Sequence, residues 1–143
     1  MSTLKRVTNE IVDLHDFFTH WFNGTVDRDQ LEPRFLSHLD PNVVFVSPDG
    51  HILTRDMMRE GFTARYGSNK AFRIKVRDVA VHREFGDLIM ATYTEWQVGA
   101  VRSSERNARL TSVLLRMSDP VTWLHIHETW LPDTVRDAGS FDF

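Results

Sequence analysis

The sequence predicts an α+β fold in which three N-terminal helices pack in the concave face of a strongly bent antiparallel sheet, giving a cone or half-barrel. Apolar residues recur every three or four positions in three N-terminal segments, and at every second position from residue 72 onward. Helices followed by long strands are typical of this class. The 143 residues suffice for one hydrophobic core. We therefore expect a single domain over residues 1–135 and a C-terminal tail over 136–143.

The first predicted helix covers residues 3–22, where apolar side chains line one face. They are Leu4, Val7, Ile11, Leu14, Phe18 and Trp21. Asn23-Gly24 ends this helix, because glycine readily adopts the left-handed conformation that closes a helix.

Two shorter helices are predicted next. A helix over residues 27–39 is capped by Asp27 and tolerates Pro33 near its start. Thr54 caps a third helix over residues 55–66. We expect the histidines of the helical region to be on exposed surfaces. They are His15, His20 and His38.

Strands occupy the rest of the chain. Two short strands, over residues 43–46 and 51–53, flank the turn Ser47-Pro-Asp-Gly50. Four long strands follow, separated by polar turns at residues 85–87, 99–104 and 118–120. Short connections of this kind predict an antiparallel meander. The alternation slips phase at Asp78, which predicts a β-bulge.

The last strand, residues 123–130, alternates two sets of large side chains. We assign one set to the cavity side of the sheet: Leu124, Ile126, Glu128 and Trp130. We assign the other set to the outer side: Trp123, His125, His127 and Thr129. Because both sets contain large side chains, we expect neither side of the strand to face only solvent: one side faces a cavity and the other a partner.

The composition excludes several classes of function. The net charge of -3, the pI near 6.1 and the absence of a basic stripe give no reason to expect a nucleic-acid partner. The chain has no cysteine, so disulfides, thiolate metal sites and cysteine nucleophiles are excluded. Apolar runs are too short to span a membrane, and residues 1–20 lack the apolar segment of a signal peptide. We expect a soluble, cytoplasmic protein.

Two segments resemble the nuclear transport factor 2-like superfamily: residues 40–50 (DPNVVFVSPDG) and residues 123–130 (WLHIHETW). This superfamily includes ketosteroid isomerases, SnoaL-like polyketide cyclases and the association domain of calcium/calmodulin-dependent kinase II. The chain is most similar to small stand-alone relatives of that association domain. The resemblance implies a cone with a ligand cavity, and the fold hosts enzymes, binders and oligomerisation modules alike.

The resemblance does not carry over the chemistry of two of these relatives. Ketosteroid isomerases need a carboxylate base and an acidic hydroxyl, and the matching positions here hold Ser47 and Phe17. The kinase association domain lines its pocket with arginines. The positions aligned with them hold Ser112, Trp130, and either Tyr93 or Thr94.

Glu128 is the candidate catalytic residue, because a carboxylate in apolar surroundings has a raised pKa and can move protons. The alternative is that Glu128 pairs with a neighbouring arginine. The predicted ligand is a small apolar or mixed-polarity molecule, with no cofactor and no metal. The predicted ligand-binding residues are Phe17, Trp21, Ser47, Tyr93, Glu95, Ser112 and Trp130. Tyr93 and Glu95 share a face that could equally belong to the dimer interface, and aromatic residues at helical spacing, such as Phe17 and Trp21, are more often part of the core.

The outer face of the sheet is the predicted interface of a homodimer. The residues expected there are Arg109, Trp123, His125 and His127. His125 and His127 point the same way and have the spacing of zinc ligands, but no third ligand is evident, since His51 and His82 are candidates only by residue type. A polar and aromatic dimer surface explains them better.

Three functions are compatible with the sequence. The first is a small-molecule-binding domain without catalysis. The second is a cyclase, dehydratase or isomerase that uses Glu128 or Glu95 as its acid–base group. The third is a homo-oligomerisation module with a vestigial cavity.

Overall fold

The computed structural model describes residues 1–101 and 104–143. Its helices are α1 (Thr3–Asn23), α2 (Leu31–Arg34), α3 (Arg55–Ala64) and α4 (Asp133–Ala138). Its strands are β1 (Leu39–Val46), β2 (Ile52–Leu53), β3 (Arg73–Phe85), β4 (Leu88–Val98), β5 (Arg106–Arg116) and β6 (Thr122–Trp130). They form one sheet in the order β2-β1-β6-β5-β4-β3. The α+β class and the meander of β3 to β6 are confirmed, but β1 pairs parallel with β6.

Helix α1 has the predicted apolar face and the predicted end at Gly24, and its N-terminal cap is Ser2, which was not predicted. The Ser2 side chain accepts a hydrogen bond from the backbone N–H of Lys5, and Gly24 ends the helix in the left-handed conformation. The apolar stripe of α1 is buried against the sheet, with Val7 and Ile11 fully inaccessible to solvent. The helix therefore covers the concave face.

The predicted second helix is wrong. Residues 27–39 form a 3-10 turn, the single turn of α2, another 3-10 turn and the start of β1. Asp27 makes no side-chain capping bond, and Phe35 leaves the helical region with a φ of -130°. The chain breaks at Phe35 because its side chain is buried in the core against Phe18 and Phe62.

The predicted bulge in the first long strand is confirmed. Asp78 has a φ of 58°, and the pairing of β3 with β4 shifts between Arg77 and Ala80. The extra residue bends β3, which helps the sheet to curve around α1.

Another irregularity, which was not predicted, lies in β6. Leu114 pairs with His125, whereas Leu115 pairs with Trp123, so Leu124 is an extra residue. The bulge turns Trp123 to the concave side, where its indole N–H donates to Glu10 Oε1 of α1 at 2.9 Å. The prediction that Trp123 lies on the outer face is therefore wrong.

The C-terminal residues, for which the sequence predicts only a tail, form α4 and then fold back over the outer face of β4. Phe141 packs edge to face on Trp96 with ring centres 5.4 Å apart. The Arg77 guanidinium lies 5.0 Å from the Trp96 ring and 5.6 Å from the Phe143 ring. Trp96 is thereby buried although it points away from α1.

Aromatic side chains fill the space between the helices and the sheet. Phe17 and Trp21 of α1 are buried, and the Trp21 indole donates to the carbonyl of Phe62 at 2.8 Å. Phe18, Phe35 and Phe62 pack together beside them. Among the described helices, none is long and apolar enough to cross a membrane.

Candidate functional site

Ionisable side chains from four elements meet on the concave face. They are His15 of α1, Glu95 of β4, Arg109 of β5 and Glu128 of β6. The exposed fractions of His15, Glu95 and Glu128 are only 4%, 5% and 7%. We call this group, with the amides of Gln97 and Asn107, the concave cluster. Burial of so many charges is costly unless each finds a partner.

His15 and Glu95 form its first ion pair. His15 Nδ1 lies 2.7 Å from the Ile11 carbonyl, and its Nε2 lies 2.9 Å from Glu95 Oε1. Burial lowers the pKa of His15, but the charge of Glu95 and the hydrogen bonds outweigh burial and raise it. Both ring nitrogens face acceptors, so the ring is best satisfied as an imidazolium ion.

Glu95 is held in its ionised form. Burial raises the pKa of its carboxyl group, but the charge and hydrogen bond of His15, together with the charge of Arg109, lower it to about 2. Gln97 Nε2 donates to the second oxygen, Oε2. Glu95 is therefore a fixed negative charge at the centre of the cluster.

Arg109 forms the second ion pair. Its NH1 donates to Glu128 Oε1 at 3.3 Å and its NH2 to Asn107 Oδ1 at 3.1 Å. Its Nε is buried 4.0 Å from Glu95 Oε2 and has no hydrogen-bond partner in the part of the chain that the structure describes. The guanidinium carbon lies 4.7 Å from the centre of the Trp130 ring.

Glu128 differs from Glu95 in its protonation. Burial and the charge of Glu95 raise the pKa of Glu128 to about 7, although Arg109 and His15 oppose the shift. Two carboxyl groups in one cluster thus have pKa values on either side of the ordinary one, which is how acid and base roles are separated in enzymes.

Neutral side chains complete the network. Asn107 Nδ2 donates to Gln97 Oε1 at 3.2 Å, so the amides link β4 to β5. The Tyr93 hydroxyl lies 3.3 Å from His15 Nε2. Burial and the charges of Glu95 and Glu128 raise the pKa of Tyr93 well above its usual value, so its phenol stays neutral.

Four predicted site residues lie on the concave side, where the sequence places Glu128 and Trp130 and where it allowed Tyr93 and Glu95 as one of two possibilities. Tyr93, Glu95, Glu128 and Trp130 point to the concave side of the sheet. Glu128 also pairs with an arginine, which was the alternative to its catalytic role. Trp130 is half-buried and its indole donates to Asp49 Oδ1 at 3.2 Å. The Arg109 side chain, which lies against this ring, keeps 13% of its surface exposed.

Four other predicted ligand-binding residues do not join the cluster. Phe17 and Trp21 belong to the aromatic core, so the cavity predicted around them is filled. The Ser47 hydroxyl accepts the backbone N–H of His51 and closes the turn after β1. Ser112 pairs with Thr92 and His127 on the outer face, because its neighbour Thr111 is the inward residue of β5.

Of the four residues predicted for the outer face, two lie there and two lie on the concave side. Arg109 is on the concave side, so its predicted place on the outer face is wrong, as is that of Trp123. His125 and His127 do lie on the outer face, with ring centres 6.5 Å apart. The His82 ring accompanies them there and bonds Thr92 at 2.6 Å.

Sequence reasoning missed His15, Gln97, Asn107 and the inward direction of Arg109. His15 was placed on the helix surface, yet it follows Ile11 by four residues and so shares its buried face. Gln97 continues the period-two series of Tyr93 and Glu95. The four-residue spacing from Ile11 to His15 and the two-residue spacing from Glu95 to Gln97 could have revealed the inward direction of both residues. The inward direction of Arg109 depended on strand register.

The described residues offer no metal site at the cluster, and two surface depressions lie elsewhere on the molecule. Among the residues that the structure describes, no group of three or more His, Cys, Asp or Glu side chains is placed to hold a metal ion. Two surface depressions, of about 430 Å³ and about 300 Å³, lie near α4 and between α1 and β3.

Solved structures share this architecture. An NTF-2-like protein of unknown function from Pseudomonas aeruginosa superposes with a TM-score of 0.80, at 24% identity over 89% of this chain and 99% of that one. A protein from Thiobacillus denitrificans assigned as a calcium/calmodulin-dependent protein kinase type II association domain gives a TM-score of 0.63, at 16% identity over 87% and 94% of the two chains. The chain therefore has the nuclear transport factor 2-like fold.

The sequence identifies a narrower group. The family model for the sucrose-6-phosphate phosphohydrolase C-terminal domain matches residues 7–132, and the chain belongs to this family. Sucrose-phosphatase 2 from Nicotiana tabacum is 28% identical over 94% of this chain and 33% of its own length. The chain thus spans about a third of the length of the curated relatives it matches.

Proposed function

We propose that this chain is a small-molecule-binding domain whose site is the concave cluster, entered beside Trp130. The observation that carries the proposal is the buried network of two ion pairs and two amides contributed by four elements. Apolar side chains of similar volume would often stabilise the same space as well or better. Strongly perturbed groups gathered on a concave face are typical of functional sites.

The ligand expected here has mixed polarity. The cluster offers carboxylate, amide and guanidinium groups, and Trp130 adds an aromatic surface at its edge. Relatives named sucrose-phosphatase make carbohydrates and their phosphate esters the first compounds to test.

Binding can be tested by titrating the protein with a panel of sugars, sugar phosphates and small carboxylic acids, following NMR shifts of Trp130 and the Gln97 and Asn107 amides. The expected result is saturable shifts of these three groups, which are lost in Trp130→Ala. Matched Trp96→Ala removes an indole on the outer face and should retain binding. Shifts that map only to the outer face would contradict the proposal.

A second candidate function is acid–base catalysis of the cyclase, dehydratase or isomerase kind. It is favoured by the opposite pKa shifts of the two carboxyl groups, to about 7 for Glu128 and to about 2 for Glu95. Once a substrate is found, Glu128→Gln should lower kcat by about a hundredfold or more if Glu128 transfers the proton. Unchanged turnover would leave binding as the function.

We also propose that the chain forms a homodimer through the outer face of the sheet. Met90 and Leu110 are 41% and 42% exposed on that face. His125 and His127 lie on the neighbouring strand. Exposed apolar side chains interspersed with polar and aromatic groups are typical of protein interfaces.

A further inference from the structure

We propose that the Arg109 end of the concave cluster binds one small anion, a carboxylate or a phosphate ester, in exchange for the negative charge of Glu128. The inference rests on the small-molecule-binding function proposed above and names the class of ligand. It also makes binding dependent on the uptake of a proton.

The charges around Arg109 are balanced in the structure. Arg109 is faced by His15 from α1, by Tyr93 and Glu95 from β4, and by Glu128 from β6. Tyr93 is neutral, so the two cations His15 and Arg109 are matched by two carboxylates when Glu128 is ionised. An anion that entered this state would face two carboxylates and would be repelled.

Protonation of Glu128 changes this balance. The remaining charges are then two cations and the single carboxylate of Glu95, and Glu95 already receives hydrogen bonds from His15 and Gln97. Arg109 then has only Glu95, 4.0 Å from its Nε, as an ionic neighbour, and it shares that carboxylate with His15. Because the pKa of Glu128 is raised to about 7 by burial and by Glu95, this exchange is available near neutral pH.

The geometry at Arg109 suits an anion. Its Nε donor is buried and unpaired among the described residues, and NH1 makes a long bond of 3.3 Å to Glu128. The guanidinium fork binds carboxylate and phosphate oxygens in pairs. The Arg109 side chain keeps 13% of its surface exposed and lies beside Trp130, which is half-buried and bonded to Asp49 in the exposed turn after β1.

Calorimetric titration with acetate and with dimethyl phosphate tests the inference, because each anion keeps a single charge across the range from about pH 6 to pH 8.5. Two buffers with different ionisation enthalpies report proton uptake. Affinity should fall by about tenfold per pH unit above the pKa of Glu128. In Glu128→Gln, which resembles the protonated group, the same anion should bind with no pH dependence. The anion that binds more tightly identifies the ligand chemistry.

Arg109→Gln should abolish binding, and Arg106→Gln, on the opposite side of the same strand, should leave it unchanged. Circular dichroism shows whether Arg109→Gln is folded; if it is not, the comparison of wild type with Glu128→Gln decides the matter. Anions that bind neither protein, or bind without a pH slope in the wild type, would overturn the inference. If neutral sugars still shift Trp130, the binding function stands and only the anion inference fails.

Discussion

At the scale of the residue, Glu95 and Glu128 show how position decides protonation. Both carboxyl groups are buried, but Glu95 has two cations within reach, whereas Glu128 faces Arg109 at 3.3 Å and the repulsion of Glu95. Ionisation of the second carboxyl group is therefore opposed. Ionisation of Glu128 therefore lowers the free energy of unfolding as well as changing the charge of the site.

Glu128→Gln is expected to stabilise the protein at alkaline pH. Between the ordinary carboxyl pKa of 4.5 and about 7, folded Glu128 holds a proton that the unfolded chain has released, so the free energy of unfolding falls as pH rises through this range. The variant lacks this loss and should be more stable than wild type by about 1–3 kcal/mol near pH 8.5, with little difference near pH 5. Urea unfolding at both pH values measures it. A variant that is less stable at the higher pH would contradict the balance of charges.

His15→Gln is expected to destabilise the protein. It leaves Glu95 ionised and buried without its cationic partner at 2.9 Å, and removal of one member of a buried pair costs about 3–5 kcal/mol. His20→Gln, on the exposed side of the same helix, should change stability by less than about 0.5 kcal/mol. Chemical unfolding near pH 6 compares the two variants. Equal stabilities would show that the ion pair contributes little.

The sequence predicts individual site residues only where local spacing determines direction. Glu128 was placed correctly because it continues a period-two pattern with the buried residue Ile126, whereas the face of Tyr93 was left open between the cavity and the dimer interface. Arg109 also obeys that period, but its pairing with Glu128 depends on which residues of β5 and β6 face each other. Register comes from the whole sheet, so a single strand does not reveal it.

At the scale of the element, the errors arise where tertiary packing overrides local preference. Residues 27–39 have helical spacing, yet burial of Phe35 against Phe62 breaks them into short turns. In β6, alternation predicts one face for Trp123 and His125, but the extra residue Leu124 separates them. The bulge at Asp78 was predictable because the alternation of apolar and polar residues shifts by one position there. In β6 both alternating sets contain large apolar residues, so the sequence shows no such shift at Leu124.

The fold-back of the C-terminal segment depends on Gly139. A Cβ atom there would lie 2.1 Å from the Trp96 ring, so Gly139→Ala should displace the tail, weaken the contact of Phe141 with Trp96 and cost about 1–3 kcal/mol. Gly61→Ala, within α3 and with room for a methyl group, should instead stabilise the protein by about 0.5–1 kcal/mol. Thermal unfolding and tryptophan fluorescence measure both. A Gly139 variant with unchanged fluorescence would show that the tail tolerates the methyl group.

At the scale of the whole molecule, the fold was predictable because the sequence changes from helical to strand periodicity after the N-terminal segments. The errors in residues 27–39 and in β6 do not alter that change. The helix α1 and the four-strand meander alone define a helix in the concave face of a bent sheet. The parallel pairing of β1 with β6 was not predictable, because it joins segments about eighty residues apart. The outer face of the sheet follows from this topology, since α1 covers only the concave side.

The proposed homodimer makes a prediction for that outer face. Leu110 is 42% exposed there, next to the strand that carries His125 and His127. Leu110→Asp places a charge in the centre of an interface, where desolvation without a partner is unfavourable. We therefore expect sedimentation of the wild type as a dimer at micromolar concentration and a weakening of dimerisation by about tenfold or more in Leu110→Asp. Leu4→Asp alters a leucine that is 49% exposed on α1 and should leave the dimer intact. If both variants sediment like the wild type, the outer face is not the interface; if only Leu4→Asp dissociates, the subunits meet through the helices instead.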